Sequence, residues 1–136
     1  KKKSDTRYLI DYLARAGRDT FPNQAERWRW LAQAVYLARF ELHDQDLALQ
    51  LANELAAMPG SDMPIWTKQM PAFVMTRAGK KKAARDLLLT IAATDKTMQA
   101  ADIVQTCWYI DHNLRDSEDG LATNPVYQAL CEHKSN

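Results

Sequence analysis

Residues able to do chemistry are few and scattered in this chain. Its three histidines, His43, His112 and His133, lie too far apart in sequence, and too near helix ends, for any metal-ligand spacing. His112 directly follows Asp111, and neighbours on a helix point about 100° apart, so the two form no catalytic dyad. Met58, Met63, Met70 and Met75 make a run of thioethers, three of them followed by Pro. Soft-metal ligation is the chemistry such a run would do, and flexible packing around helix ends is the simpler reading. Lys80, Lys81 and Lys82, with Arg77 and Arg85, form a basic patch at a helix start, where the helix dipole prefers acids. It is no phosphate loop, since Gly-x-x-x-x-Gly-Lys-Ser/Thr is missing, and it reads as a solvated turn or a partner-facing surface. Cys107 and Cys131 are the only cysteines, and each shares a helical stripe with apolar neighbours, so each reads first as a small buried residue. Antiparallel packing of the last two helices would instead let them pair, and a disulfide implies an oxidising compartment. No Ser-His-Asp order, nucleotide-binding glycine fingerprint or cleft with paired carboxylates is present, so the expectation is a non-enzyme with no cofactor and no metal.

The elements that must carry any site follow from composition. At 136 residues, 46% hydrophobic and 26% charged, the chain fits one soluble domain with its own core. Eighteen basic against 17 acidic side chains leave a net charge of +1, without the basic excess expected of a nucleic-acid binder. No uncharged stretch approaches the roughly 20 residues that cross a bilayer. The opening Lys1-Lys2-Lys3 without Met leaves room for an upstream anchor, and for a cytoplasmic or a bacterial cell-envelope location alike. Only 4 Gly and 5 Pro among abundant Ala, Leu, Gln, Arg and Lys predict an all-α fold.

Periodicity and punctuation place six or seven helices. The first spans about 4–16, with Tyr8, Leu9, Tyr12, Leu13 and Ala16 on one stripe and Gly17 as its stop. After a turn at Phe21-Pro22, a second covers about 23–42, and Asp44 caps a third over about 45–57. Ser61-Asp62-Met63-Pro64 opens a fourth that runs to about Ala78, with a kink or break expected near Pro71. A fifth covers about 80–93, Thr94-Asp95 caps a sixth over about 96–114, and a short last helix starts near Pro125.

Sliding the sequence against itself by 36 residues places Trp30 on Trp66, Gln33 on Gln69, Ala48 on Ala84, Leu51 on Leu87 and Ala56-Ala57 on Ala92-Ala93. The step continues from Gln69 to Gln105, Phe73 to Tyr109 and Val74 to Ile110. Helical hairpins recurring at a fixed period announce stacked repeats. With Ala48 and Ala84 after the interhelix turns and Gly79 as a turn glycine, the pattern resembles the tetratricopeptide repeat family. Departures are Tyr36 at a usually small position, His43 in place of a turn glycine, and the step of 36. The resemblance implies one domain over 1–136, a short right-handed superhelix of antiparallel hairpins: a capping helix over 4–22, repeats at 23–58 and 61–94, and a partial repeat with a C-terminal cap over 95–134.

It also implies that the first helix of each hairpin lines a concave groove. Groove positions would then be Trp30, Gln33, Leu37, Phe40 and Glu41, then Trp66, Gln69, Phe73, Thr76 and Arg77, then Gln105, Tyr109 and His112. An aromatic floor with a ladder of amides suits an extended peptide or a partner helix. The plainer alternative makes these aromatics inter-repeat core and the glutamines solvated. The functional expectation is a protein–protein interaction or scaffold module. The alternative is a spacer or homo-oligomerising domain pairing through Val126, Tyr127 and Leu130.

Overall fold

The computed structural model describes residues 2–19, 26–60, 62–115 and 120–132. Among them the only regular elements are helices: α1 (Lys3–Arg18), α2 (Trp28–Phe40), α3 (Gln45–Ala56), α4 (Ile65–Arg77), α5 (Lys81–Thr94), α6 (Ala100–Asn113), a 3-10 turn (Leu121–Thr123) and α7 (Pro125–Leu130). Neighbouring helices pack in sequence order, so the all-α expectation holds. The chain divides into two compact units, Lys1–Val74 and Met75–Asn136. Their boundary falls inside α4, away from the repeat edges that the 36-residue step suggests. Phe21, Pro22, Asn23, Ser61 and His133 lie outside the described residues.

In the first unit α1 packs on α2 and α2 on α3. The core gathers Ile10, Leu13 and Ala14 from α1, Leu31, Val35 and Ala38 from α2, and Ala48, Leu51, Ala52 and Leu55 from α3. This corrects the stripe expected for the first helix, because Ile10, Ala14 and Gly17 face inward while Tyr8 and Tyr12 face out. Small residues decide the rotation. A Cβ on Gly17 would stand 3.0 Å from Leu31 Cβ and 3.1 Å from the Leu31 backbone nitrogen, so Gly17 is where α2 comes closest. It is not the helix stop: α1 runs on to Arg18, and the Asp19 N–H still reaches the Arg15 carbonyl. Arg18 then donates twice to Glu54 on α3, at 2.7 and 2.8 Å. Those bonds hold the Glu54 carboxyl below the usual carboxylate range and raise Arg18 above its ordinary value, burial opposing both.

The chain leaves α2 through His43, whose φ of +57° is left-handed, and the Asp44 N–H bonds back to the Ala38 carbonyl at 2.9 Å. Asp44 Oδ1 then accepts the Leu47 N–H at 3.0 Å, the cap expected for α3. α4 continues unbroken through Pro71, although proline donates no hydrogen bond there. Its start is pinned by Thr67, whose N–H and hydroxyl both donate to the Pro64 carbonyl, at 3.0 and 2.7 Å.

In the second unit α5, α6 and α7 pack around Leu88, Leu89, Cys107, Ile110, Leu114, Leu121 and Tyr127. α6 begins at Ala100 rather than near Lys96, because Asp95 takes the Thr97 N–H at 2.8 Å and so builds a turn. Asp102 closes the first turn of α6 by accepting the Gln99 N–H at 2.9 Å. Asn124 caps α7 through the Val126 and Tyr127 N–H groups, with Pro125 at the first helical position.

The Cys107–Cys131 disulfide fastens α7 to α6, so these cysteines are a covalent pair rather than two free apolar side chains. Beside it the Tyr127 hydroxyl donates to Asp111 at 2.5 Å and accepts from Arg115 at 3.0 Å. Burial first, and the Asp111 bond second, raise the Tyr127 phenol above its ordinary value. Tyr127 is therefore committed to this internal network, which removes it from the face offered for self-pairing.

The 36-residue step persists as a pattern of burial. Val35, Pro71 and Cys107 are buried, as are Ala38, Val74 and Ile110, while Leu37, Phe73 and Tyr109 are half-buried. Ala48 and Ala84 are both completely buried. Gly79 at φ +82° takes the same left-handed conformation as His43, and the N–H that follows each turns back to its helix, Lys80 to the Met75 carbonyl and Asp44 to the Ala38 carbonyl, both at 2.9 Å and one residue apart in register.

Candidate functional site

The first unit carries an aromatic groove along α2. Helical spacing of 3, 4 and 7 brings Arg29, Ala32, Gln33, Tyr36 and Leu37 to one side of that helix. Their inner neighbours Leu31, Ala34, Val35 and Ala38 are buried, which fixes the rotation of α2 and holds this face outward. α4 supplies Trp66 and Met70, and α1 supplies Leu9.

Two clefts open on this face. One, of about 520 Å³, is lined by Glu26, Trp28, Arg29, Trp30, Ala32, Gln33 and Trp66. The other, of about 540 Å³, is lined by Leu9, Ala32, Gln33, Val35, Tyr36, Leu37, Arg39, Trp66 and Met70. Ala32, Gln33 and Trp66 belong to both, so the clefts adjoin and Gln33 stands between them. Each has the volume of an ordinary small-ligand pocket.

The walls are braced from behind. Trp66 meets buried Trp28 edge to face, with ring centres 5.7 Å apart, and still leaves 37% of its surface open. Trp30 is 42% exposed. Tyr36 leans on Phe40 at 5.0 Å, and the Arg39 guanidinium lies over the same Phe40 ring at 4.6 Å. Arg39 also donates to the Phe73 carbonyl at 3.4 Å. At the other end Arg29 covers Trp28 at 4.9 Å and sits 3.4 Å from Glu26. The arrangement is an apolar aromatic floor with one neutral amide at its centre and a guanidinium at each end. It can hold apolar side chains and offer an amide NH2 donor group and a carbonyl acceptor between them. Among the described residues no group of three or more His, Cys, Asp and Glu is placed to hold a metal ion, and no helix is long and apolar enough to cross a membrane.

Of the residues expected from sequence, Trp30, Gln33, Leu37 and Trp66 line these clefts. Phe40 and Phe73 are half-buried behind them, and Gln69 is buried in α4, so the amide ladder does not continue from Gln33 to Gln69. Arg77, exposed Gln105 and half-buried Tyr109 belong to the second unit. There His112 stacks on exposed Trp108, ring centres 4.1 Å apart, and its Nδ1 lies 2.8 Å from the Trp108 carbonyl oxygen. Sequence reasoning passed over Trp28, Ala32, Tyr36, Arg39, Met70 and Leu9. Ala32 and Tyr36 carried a usable signal, since they share the face of Gln33 and Leu37; Leu9, on another helix, carried none.

Comparison of the chain with family models, curated proteins and solved structures finds no match in any of the three.

Proposed function

We propose that this chain is a non-enzymatic interaction module of tetratricopeptide-like helical hairpins, and that its first unit holds a partner peptide or helix in the tryptophan-lined groove. The observation that carries the reading is the pair of adjoining clefts that share Gln33 and Trp66. Aromatic anchors around an uncharged amide suit recognition of apolar side chains on a peptide. The repeat reading is supported by the 36-residue step in burial and by the left-handed residues His43 and Gly79 at equivalent helix ends. A disulfide between Cys107 and Cys131 supports work in an oxidising compartment, since such bridges are rare in the cytosol.

Selection of displayed peptides on the purified chain tests the groove. The expected result is a consensus bearing bulky apolar residues, whose binding falls at least tenfold in Trp30→Ala and Gln33→Ala, both exposed and so replaceable without unfolding. Equal binding to wild type and both variants rejects the groove.

A further inference from the structure

The outward face of α1 is a second surface, and we propose that it binds a second copy of this chain in an antiparallel, two-fold symmetric dimer. Tyr8 and Tyr12 are 75% and 62% exposed, an uncommon state for large aromatics, and neither contributes to the core. Through Leu9 the patch continues to Tyr36 on α2, which shares a cleft with Leu9 and is 59% exposed. At about 200 Å² per aromatic side chain, the three tyrosines leave roughly 400 Å² uncovered. That is close to the apolar share of the ~800 Å² that each partner contributes to a standard interface.

The charges say which partner fits. Asp5, Tyr8, Tyr12 and Arg15, all exposed, fall within one side of α1. Two copies of this stripe laid antiparallel about residue 10 set Tyr8 against Tyr12 of the other copy and Asp5 against its Arg15. In a two-fold interface each such contact occurs twice, so the stripe is complementary to itself in both shape and sign. Arg15 already meets Asp11 at 2.8 Å within the protomer, and its guanidinium has donors for a second carboxylate. This surface meets the second cleft of the peptide groove at Leu9 and Tyr36, but Asp5, Tyr8, Tyr12 and Arg15 line neither cleft, so variants at those four residues test self-association apart from peptide binding.

Sedimentation velocity of the intact chain across a micromolar concentration series tests the assignment, with circular dichroism checking the fold of each variant. Wild type is expected to shift to dimer, and Tyr8→Lys or Tyr12→Lys to stay monomeric. Asp5→Arg and Arg15→Asp each raise the dimer dissociation constant about tenfold, through two like-charge contacts per dimer, and the double variant recovers most of that loss. A wild type that is monomeric throughout, a dimer indifferent to Tyr8 and Tyr12, or a double variant no better than either single one overturns it.

Discussion

Reducing the Cys107–Cys131 bridge should cost the second unit a large part of its stability. The cysteines are 24 residues apart, and closing a loop of that length removes about 12 cal/mol/K from the unfolded chain, about 3.4 kcal/mol at 25 °C. α7 is otherwise held by its packing on α5 and α6 and by the Gln128 bond to the Ala122 carbonyl at 2.6 Å. It is only six residues long, and its links to α6 are Tyr127, with its bonds to Asp111 and Arg115, and the covalent bridge. A unit of about 60 residues commonly has only a few kcal/mol in reserve, so the loss is a drop of over a hundredfold in its folding equilibrium. Urea unfolding of the oxidised chain, the reduced chain and the Cys107→Ala/Cys131→Ala double variant measures it. The midpoint for the second unit should fall in both reduced and substituted proteins. Hydrogen exchange should rise first over residues 121–131, with α1 to α3 unchanged. Oxidised and reduced chains that unfold at the same urea concentration would refute the staple, as would a loss of protection centred on the first unit.

Four further outcomes follow from the packing. Gly17→Ala brings a methyl against the Leu31 backbone and should destabilise the first unit by about 1 kcal/mol, overpacking outweighing the helix-propensity gain; a higher melting temperature would show that α1 and α2 can move apart freely. His43→Gly should stabilise by about 0.5 kcal/mol by relieving the left-handed φ, and Gly79→Ala should cost about 1 kcal/mol, both read from urea midpoints. Glu54→Gln should cost no more than about 0.5 kcal/mol at pH 7, because the Arg18 pair is partly exposed and screened. The folded Glu54 pKa is depressed, so the stabilisation is present above the unfolded carboxylate value and lost as pH falls through the folded one. Wild type and Glu54→Gln should therefore converge in acid, and a gap that widens there contradicts the assignment.

Much of the helix layout was legible because its signals are local. Asp44 caps α3 and Pro125 opens α7, both as expected, and Ala48 and Ala84, matched by the 36-residue step, are both fully buried. The errors arise where a tertiary contact outranks a local pattern. Tyr8, Leu9 and Tyr12 made the more apolar stripe of α1, yet Ala14 and Gly17 allow the closer approach to α2 and so set the rotation. Asp95 was a good cap by type, but its side chain was taken by Thr97, and α6 started later. The 36-residue step matches Gln33 with Gln69, but one is exposed between two clefts and the other is buried; a match in sequence does not fix which neighbours cover a residue. Spacing left the two cysteines open between free and paired, and only the fold of α7 onto α6 brings them together.

The groove is most directly tested by tryptophan fluorescence, since Trp30 and Trp66 sit in its walls. A peptide selected on the wild type, titrated into the chain, should shift the emission in a saturable way. Trp30→Ala should reduce that signal and weaken binding at least tenfold, while Trp108→Ala, in the second unit, should leave affinity unchanged. A saturable shift that survives Trp30→Ala and Gln33→Ala but disappears in Trp108→Ala would place recognition elsewhere and contradict the proposed function.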